Sequence, residues 1–345
     1  MPDEMQTPAA TLLQMLRGYW VSQGISVAAE LGLADLIAGG TSRSTDLARA
    51  ASADPESVLR LMRALSAVGL FARNEDDSFA LTPLSDLLRT DHPRSLRAAA
   101  IMLGQPWLWR SWEDLLETVR SGEPAFPRVF GTTLFQHLEH DPVAGRLFDD
   151  AMTALSAQTI PAIVQAADFT RFGTIVDVGG GAGSLLLAML ERAPGARGVL
   201  FDMPEVAETA ARNLVASGLE GRCNAVGGNM FDAVPAGGDL YVLKNVLHDW
   251  NDDSVRAILT NCRAAMAAGA MLMIIETILP DRPAPAPPFW MDLHMMVQLG
   301  GRERTAAQLQ DLLATTGFSL VAITPTTSPQ SIVEAVAVSS PRRSS

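Results

Sequence analysis

One stretch limits this chain more than any other: Thr174-Ile-Val-Asp-Val-Gly-Gly-Gly-Ala-Gly-Ser184. A short apolar strand runs into a glycine-rich turn, and a leucine-rich helix follows at once. Glycine adopts positive φ at little cost and lets a ligand touch the main chain, so this is a sheet-edge nucleotide turn. Its spacing discriminates among ligands. A GxGxxG dinucleotide fingerprint would need glycine at 184 or 186, where Ser184 and Leu186 stand. No Gly-Lys-Ser/Thr follows, which removes a P-loop. What remains is Gly179, Gly181 and Gly183 in a GxGxG turn, with Asp177 in the strand before it. Such a turn has no pyrophosphate to bind.

The segments around this turn set the fold class. Ile175–Val178, Gly198–Phe201, Leu240–Lys244 and Met271–Glu276 read as apolar strands, alternating with helices at Ser184–Glu191, Glu205–Ala216 and Ser254–Ala268. That alternation predicts an α/β, Rossmann-like domain with a mostly parallel buried sheet. Phe318–Thr324 and Ser331–Val338, after a helix around Ala306–Thr315, predict a closing antiparallel pair. A Pro-rich loop, Leu279–Pro288, falls inside the domain.

The first half reads differently. Asp54-Pro55-Glu56 combines an N-cap, a first-turn proline and an acid at the positive end of a helix. Val58, Leu61, Met62, Leu65 and Val68 recur at helical spacing until Gly69. A shorter helix precedes it, and Leu70–Arg73 with Phe79–Leu81 predict a hairpin, completing a winged-helix arrangement. Residues 41–90 carry six Arg against seven Asp and Glu, and the wing tip is Asn-Glu-Asp-Asp. A wing that meets phosphates should be basic, so packing or dimerisation is the better reading than DNA binding. The apolar series Leu12, Leu13, Leu16, Trp20 has little obvious partner in its own domain. The expected division is a winged-helix dimerisation domain at 1–105, a helical linker at 106–170 (including a long helix from about Pro142) and a catalytic domain at 171–340.

A net charge of −12 disfavours nucleic acid and anionic membranes as partners. The acidic N-terminus lacks a signal-peptide pattern, and the longest apolar stretch, Ala264–Ile275, is too short to span a bilayer. A cytoplasmic protein is expected. Cys223 and Cys262 have neither CxxC nor metal-ligand spacing and read as structural thiols.

Chemistry-bearing residues collect where the strands end. Asp202 closes the second strand, where an acid bonds two ribose hydroxyls; as an alternative it would cap the helix from Glu205, and the glycine turn favours the first role. His248 follows the strand Leu240–Lys244, at the carboxyl edge where ligands of parallel sheets sit. A phenol, with pKa near 10, is a weak nucleophile until a base takes its proton, and histidine suits that task. Lys244 is the only lysine in the chain.

In order and at consistent spacing, the segments VDVGGGAGS, FDMPEV, GGNMF, LKNVLHDWND, IIETILP and GGRERT make the chain resemble the caffeate and hydroxyindole O-methyltransferase family, including its bacterial secondary-metabolism members. With the winged-helix half the resemblance covers nearly the whole chain. It implies S-adenosylmethionine as cofactor, a hydroxyl of a small, aromatic or polyketide-like molecule as methyl acceptor, and a homodimer paired through the N-terminal helices that carry Leu12, Leu13, Leu16 and Trp20. It places Gly179, Asp202, Met230 and Lys244 on cofactor-contacting positions, His248 on the general base, and Glu276 and Glu303 on the acids that flank and orient that base. Asn229 stands where the family usually has Asp, which removes a charge near the sulfonium. Asp249 would serve equally in capping the following helix or in chemistry. The arginines beside Glu303 offer it an alternative role as an ion-pair partner. Phe148 and Met152 resemble residues lining the acceptor pocket; Trp107, Trp109, Trp112, Trp290, Met291 and Met295 join them as candidates, although for each of these taken singly ordinary core packing is the favoured reading.

His294 has two readings. With His248, Asp249 and the two glutamates it would complete a metal site of the kind used by relatives that C-methylate α-keto acids. A substrate-facing histidine with no metal is favoured. The alternatives to O-methylation are thus metal-assisted C-methylation, non-methylating chemistry on the same fold, and a winged-helix regulator with a vestigial ligand domain, against which the acidic wing speaks.

Overall fold

The computed structural model describes residues 7–219, 221–282 and 287–338. The chain forms two compact units: Met1–Arg110 with Leu138–Leu155, and Ser111–His137 with Ser156–Ser345. Part of the Pro-rich loop, 283–286, and the basic tail lie outside the described residues.

The first unit contains α1 (Pro8–Leu16), α2 (Gly18–Glu30), α3 (Leu33–Ala38), α4 (Ser44–Ala50), α5 (Pro55–Ala67), the strands β1 (Phe71–Arg73) and β2 (Phe79–Leu81), α6 (Pro83–Asp86) and α7 (Arg97–Leu103). In α5 the expected cap forms: Asp54 Oδ1 accepts the Ser57 N–H at 2.9 Å, with Pro55 in the first turn. Val58, Met62 and Leu65 face inward, and Gly69 at φ +79° releases the chain into β1. Val68, the last residue of the predicted stripe, is exposed because the helix has ended. β1 and β2 pair antiparallel as the wing. Its acidic tip is internally balanced: Asp77 pairs with Arg73 and Arg63, and Asp76 with Arg43. Leu12, Leu13, Leu16 and Trp20 stay exposed on α1 and α2.

Next along the chain come α8 (Pro106–Glu113), α9 (Leu115–Ser121), α10 (Ala125–Phe130), α11 (Leu134–His140) and the long α12 (Pro142–Ala166). The sheet of the second unit then begins: β3 (Thr174–Val178), α13 (Ser184–Arg192), β4 (Arg197–Asp202), α14 (Pro204–Ala216), β5 (Cys223–Gly227), β6 (Leu240–Lys244), α15 (Asp252–Ala265), β7 (Met271–Leu279), α16 (Pro287–Gln298), β8 (Arg304–Thr305), α17 (Ala306–Thr315), β9 (Phe318–Pro325) and β10 (Gln330–Ala337). The strand order is β5-β4-β3-β6-β7-β10-β9, with the two-residue β8 beside β7. Strands β3 to β7 are parallel, and β10 is antiparallel to both neighbours, as expected for a closing pair. The order reverses between β3 and β6, so the crevice at their carboxyl ends is the topological switch point of the sheet.

Two apolar layers cover the sheet. Leu185, Leu186, Met189 and Leu190 of α13 pack with Leu214 on one face, while Val255, Ile258 and Leu259 of α15 pack with Leu312 on the other. Strand β5 escaped the sequence reading because Cys-Asn-Ala-Val-Gly has little apolar character, a composition suited to a sheet edge. The two cysteines are free buried thiols, and burial pushes Cys262 up to about 12. Among the described residues, no helix is long and apolar enough to cross a membrane.

Gly198 marks a tight contact of helix and sheet. A Cβ there would lie 2.9 Å from Leu190, 3.0 Å from Leu186 and 3.1 Å from the Cβ of Cys223. Gly198→Val is expected to lower unfolding stability by about 1–3 kcal/mol in urea titration, the cost of overpacking. Gly195→Ala, where the new methyl meets nothing within 4 Å, serves as the near-neutral control.

Candidate active site

All four apolar residues of β6 are buried, and Lys244 ends the strand. Asn245, at φ +53°, then turns the chain into a single 3-10 turn, Leu247–Asp249. Asparagine is among the few residues with a side chain that tolerate this conformation. The turn leaves His248 at the carboxyl edge of the sheet, largely buried.

The segment 300–304 closes on this turn from outside. A Cβ on Gly301 would lie 2.0 Å from the His248 carbonyl oxygen, so the two main chains meet in a way only glycine permits. Arg302 N–H donates to that carbonyl at 2.9 Å. The fully buried Arg304 guanidinium donates to the carbonyls of Leu247 at 2.8 Å and Trp250 at 2.7 Å, and to Asp252 at 2.8 and 3.0 Å. Arg304 therefore grips the main chain around the histidine and leaves Glu303 free to meet the ring. The alternative role for Glu303, as an ion-pair partner of these arginines, is not seen among the described residues; it meets the ring instead.

Three carboxylates stand around His248, two of them, Glu276 and Glu303, fully buried and the third, Asp249, half-buried. Glu303 Oε1 lies 2.9 Å from Nδ1, and Asp249 Oδ1 lies 3.5 Å from Nε2. Glu276, at the end region of β7, does not touch the ring: its Oε1 accepts the N–H groups of Leu247 at 2.6 Å and His248 at 3.1 Å. Of the two acids expected beside the imidazole, one holds the ring and the other the backbone of its turn. Asp249 does not cap α15; Asn251 does, accepting the Ser254 N–H at 3.0 Å. Burial disfavours charge on the His248 ring, yet Asp249, Glu303 and Glu276 together outweigh it and push the ring up to about 9. Burial likewise pushes Asp249 up to about 7 and raises Glu276.

At the other side of the switch point lies the glycine turn. Gly179, Gly181 and Gly183 have φ of +70°, +57° and +88°. A side chain on Gly179 would collide with Val246 at 2.7 Å, whereas the space over Gly181 is open. Asp202 accepts the N–H groups of Gly181 at 2.8 Å and Met203 at 2.7 Å, and burial raises its carboxyl. Asp177 is fully buried beneath the turn, with one oxygen unpartnered among the described residues. Burial pushes it up to about 7 against the charge of Lys244, and pushes Lys244 down to about 8. Lys244 Nζ donates to Ser156 Oγ at 3.0 Å. Asn229 is exposed, its Oδ1 taken by the Phe231 N–H at 3.0 Å, and Met230 is half-buried beside it.

The apolar candidates divide. Met295 is buried on α16, but Met291, one turn earlier, is 44% exposed. Phe148 and Met152 lie half-buried on the part of α12 that belongs to the first unit. Trp109 belongs there too: its indole N–H donates to the Leu103 carbonyl at 2.8 Å and its ring packs on Tyr19, a structural role. His294 sits on α16, half-buried, with Nδ1 accepting the Trp112 indole N–H at 3.1 Å. Among the described residues no group of three His, Cys, Asp or Glu is arranged as a metal site.

Residues 112–319 match the model of an O-methyltransferase domain, and residues 13–91 that of an O-methyltransferase dimerisation domain. The chain belongs to the O-methyltransferase family. This methyltransferase is 44% identical to the phenazine O-methyltransferase PhzM of Lysobacter antibioticus over 95% of its own length and 96% of the relative's. It is 39% identical to the phenazine-1-carboxylate N-methyltransferase of Pseudomonas aeruginosa, covering 90% of its own chain and 92% of that one. The crystal structure of LaPhzM superposes with a TM-score of 0.93 at 44% identity, over 96% of this chain and all of that one. The chain is accordingly an S-adenosylmethionine-dependent methyltransferase of the secondary-metabolite type.

Gly301, Arg304 and Ser156 were not among the residues singled out from sequence. GGRERT was visible as a motif, but which of its side chains reach the ring and which the backbone depends on the path of the loop.

The ring's raised value sets a direction for pH. A histidine held up to about 9 gains its unprotonated form as pH rises towards that value. Turnover that needs the neutral ring should therefore climb between pH 7 and 9. Asp249→Asn, which removes the largest charge holding the proton on, should move that rise to lower pH. A kcat/KM profile flat from pH 6 to 9 would contradict both statements.

Proposed function

We propose that this methyltransferase transfers the methyl group to a hydroxyl of a small aromatic or polyketide-like molecule, with His248 as general base. The arrangement of Glu303, His248 and Asp249 carries the reading. A carboxylate accepts but does not donate, so Glu303 at 2.9 Å keeps the proton of the neutral ring on Nδ1. That leaves the lone pair on Nε2 for the acceptor's proton, and fixes the tautomer as a base–orienter pair does. Asp249, 3.5 Å from Nε2, stabilises the imidazolium once it forms. Glu276 holds the two amides of the turn and so the direction in which the ring points.

The residues of the glycine turn fit the cofactor. Three positive-φ glycines with open space over Gly181 give an adenosyl group access to the main chain. Asp202 keeps further lone pairs free after accepting two amides, enough for two ribose hydroxyls. Asn229 and Met230 stand at the mouth of β5, where they would meet the nucleoside, and the amide of Asn229 retains its donors. Lys244 would bind the carboxylate end together with its partner Ser156. Asp177 would act from beneath the turn, by charge on Lys244 and not by contact. When bound, the cofactor supplies an electrophilic sulfonium methyl and leaves as S-adenosylhomocysteine. His248 takes the proton the acceptor oxygen loses.

The N-methylating relative keeps one alternative open, an amine acceptor in the same site. The dimerisation domain and the exposed Leu12, Leu13, Leu16 and Trp20 support a homodimer. The double substitution Leu13→Glu with Leu16→Glu is expected to halve the mass seen in sedimentation. Deleting residues 1–31 is a poorer test, since it would also take Ala28 and Ala29 from the core of the first unit.

The base assignment has a direct test. His248→Ala should keep the thermal stabilisation by S-adenosylhomocysteine, because the glycine turn and Asp202 do not depend on the ring. Turnover of a phenol should fall by about two to four orders of magnitude. Raising the pH towards the acceptor's own pKa should recover part of the loss, as solvent then supplies the phenolate. Glu303→Gln should weaken turnover in the same direction but less. Full activity of His248→Ala at neutral pH would remove the assignment. Turnover of amines but not hydroxyls by the unaltered enzyme would shift the reading to N-methylation.

A further inference from the structure

His294, on α16, lies close enough to His248 to feel its charge, and its surroundings are the reverse of those of His248. Where His248 has carboxylates, His294 has the indole of Trp112, nearly coplanar at 19° and with ring centroids 5.9 Å apart. An indole N–H donates and never accepts. At 3.1 Å it therefore demands a lone pair on Nδ1 of His294. A neutral imidazole in that position carries its proton on Nε2, and a protonated one would set two N–H groups against each other. Burial, then the charge of His248, push the His294 ring down to about 4. Nε2–H is thus a fixed donor, and no described residue accepts from it. Its position relative to the base is fixed as well. Asp292, on the same helix α16, accepts the N–H of Glu303 at 2.9 Å, and Glu303 holds the ring of His248.

We propose that His294 Nε2–H recognises an uncharged carbonyl oxygen lying ortho or peri to the hydroxyl that is methylated, so that the enzyme selects chelated hydroxy-ketones and hydroxyquinones over isolated phenols. The inference rests on the O-methylation reading and adds the substrate class. In such molecules the hydroxyl proton is tied up in an internal O–H···O=C bond and is not available to a base. A donor that takes the carbonyl releases that proton, which then turns towards His248 Nε2. The class is a neutral ketone or quinone carbonyl because that is the acceptor to which a neighbouring hydroxyl chelates.

The test has two independent arms. In the first, kcat/KM is measured for isomer pairs that differ only in the position of the hydroxyl: 1- against 2-hydroxyanthraquinone, and 2′- against 4′-hydroxyacetophenone. The carbonyl-adjacent isomer should be favoured by about ten- to a hundredfold, the range expected for one buried hydrogen bond to an otherwise unpaired donor. His294→Phe should bring the ratio close to one, and Trp112→Phe should reduce it, since the ring is then free to take either tautomer. His294→Gln, which restores an N–H donor, should recover part of it. Binding of S-adenosylhomocysteine by each variant confirms that it is folded. The second arm needs no substrate. The chain has five histidines, so long-range 15N–1H spectra can assign each ring with the help of the His294 variant. His294 should remain neutral with its proton on Nε2 from pH 5.5 to 8, and should lose that signature in Trp112→Phe.

Equal rates on both isomers of each pair, an unchanged ratio in His294→Phe, or a His294 ring that titrates or carries its proton on Nδ1 in that window would each overturn the inference. Methylation of simple phenols with no preference for the chelated isomers would sink it while leaving His248 as base. Failure to methylate any hydroxyl in a panel whose amines are methylated would instead sink the reading on which it rests.

Discussion

The backbone of the His248 turn runs so close to Gly301 that no side chain fits between them. This contact sets the rest of the site. Two chain segments that touch main chain to main chain expose carbonyls to each other with no water to satisfy them, and a buried carbonyl without a partner costs about 1–3 kcal/mol. Arg302 N–H and the Arg304 guanidinium meet the carbonyls of Leu247, His248 and Trp250. Glu276 does the same for the opposing amides. The ring is therefore held by its backbone, from both polar sides, before any acid touches its nitrogens.

Holding the turn this way concentrates buried negative charge. Glu276 and Glu303 each keep one oxygen unpartnered among the described residues, and Asp249 is pushed up to about 7. Buried carboxylates are unfavourable unless compensated, and the nearby compensation is the imidazolium of His248 and the guanidinium of Arg304. The stability of this group of acids and the affinity of the ring for a proton are thus two descriptions of one interaction. A base that holds its proton well is also one that needs a high pH, or an arriving acceptor, to release it. The second charged group, Asp177 with Lys244, is built on the same principle at the end of neighbouring strands, where the sheet forces both side chains under the glycine turn.

Much of this was legible in the sequence, for reasons that can be named. The glycine turn, the apolar strands and the capped helix α5 are local patterns, in which the residues that interact are neighbours in the chain. Asp202 and His248 were legible because parallel strands deliver their carboxyl ends to one edge. What sequence could not supply was the direction of side chains brought together by loops. Glu276 and Glu303 looked equivalent as acids near a base, yet one bonds the ring and the other the turn. Asp249 stood open between cap and chemistry until Asn251 took the cap. Trp109 and Trp112 are three residues apart, but the first spends its N–H on the Leu103 carbonyl and the second on His294. Nothing in Trp-Leu-Trp-Arg-Ser-Trp separates them. Strand β5 was missed because its pairing partner β4, more than its own composition, makes it a strand.

The two histidines show why such directions matter. Identical side chains differ in role here because their nearest partners differ in a single property: a carboxylate only accepts, and an indole only donates. The acceptor on Nδ1 of His248 leaves the lone pair of the neutral ring on Nε2, and together with Asp249 and Glu276 it raises the ring's affinity for protons. The donor on Nδ1 of His294 makes Nε2 a hydrogen-bond donor, while burial and then the charge of His248 lower the ring's affinity for protons. Environments that push two like groups apart in proton affinity are how one site comes to hold both a proton acceptor and a proton donor near neutral pH. Each ring also reinforces the other, since a cation on His248 disfavours a second on His294. The division of labour is therefore a property of the pair and its two partners, not of either ring alone.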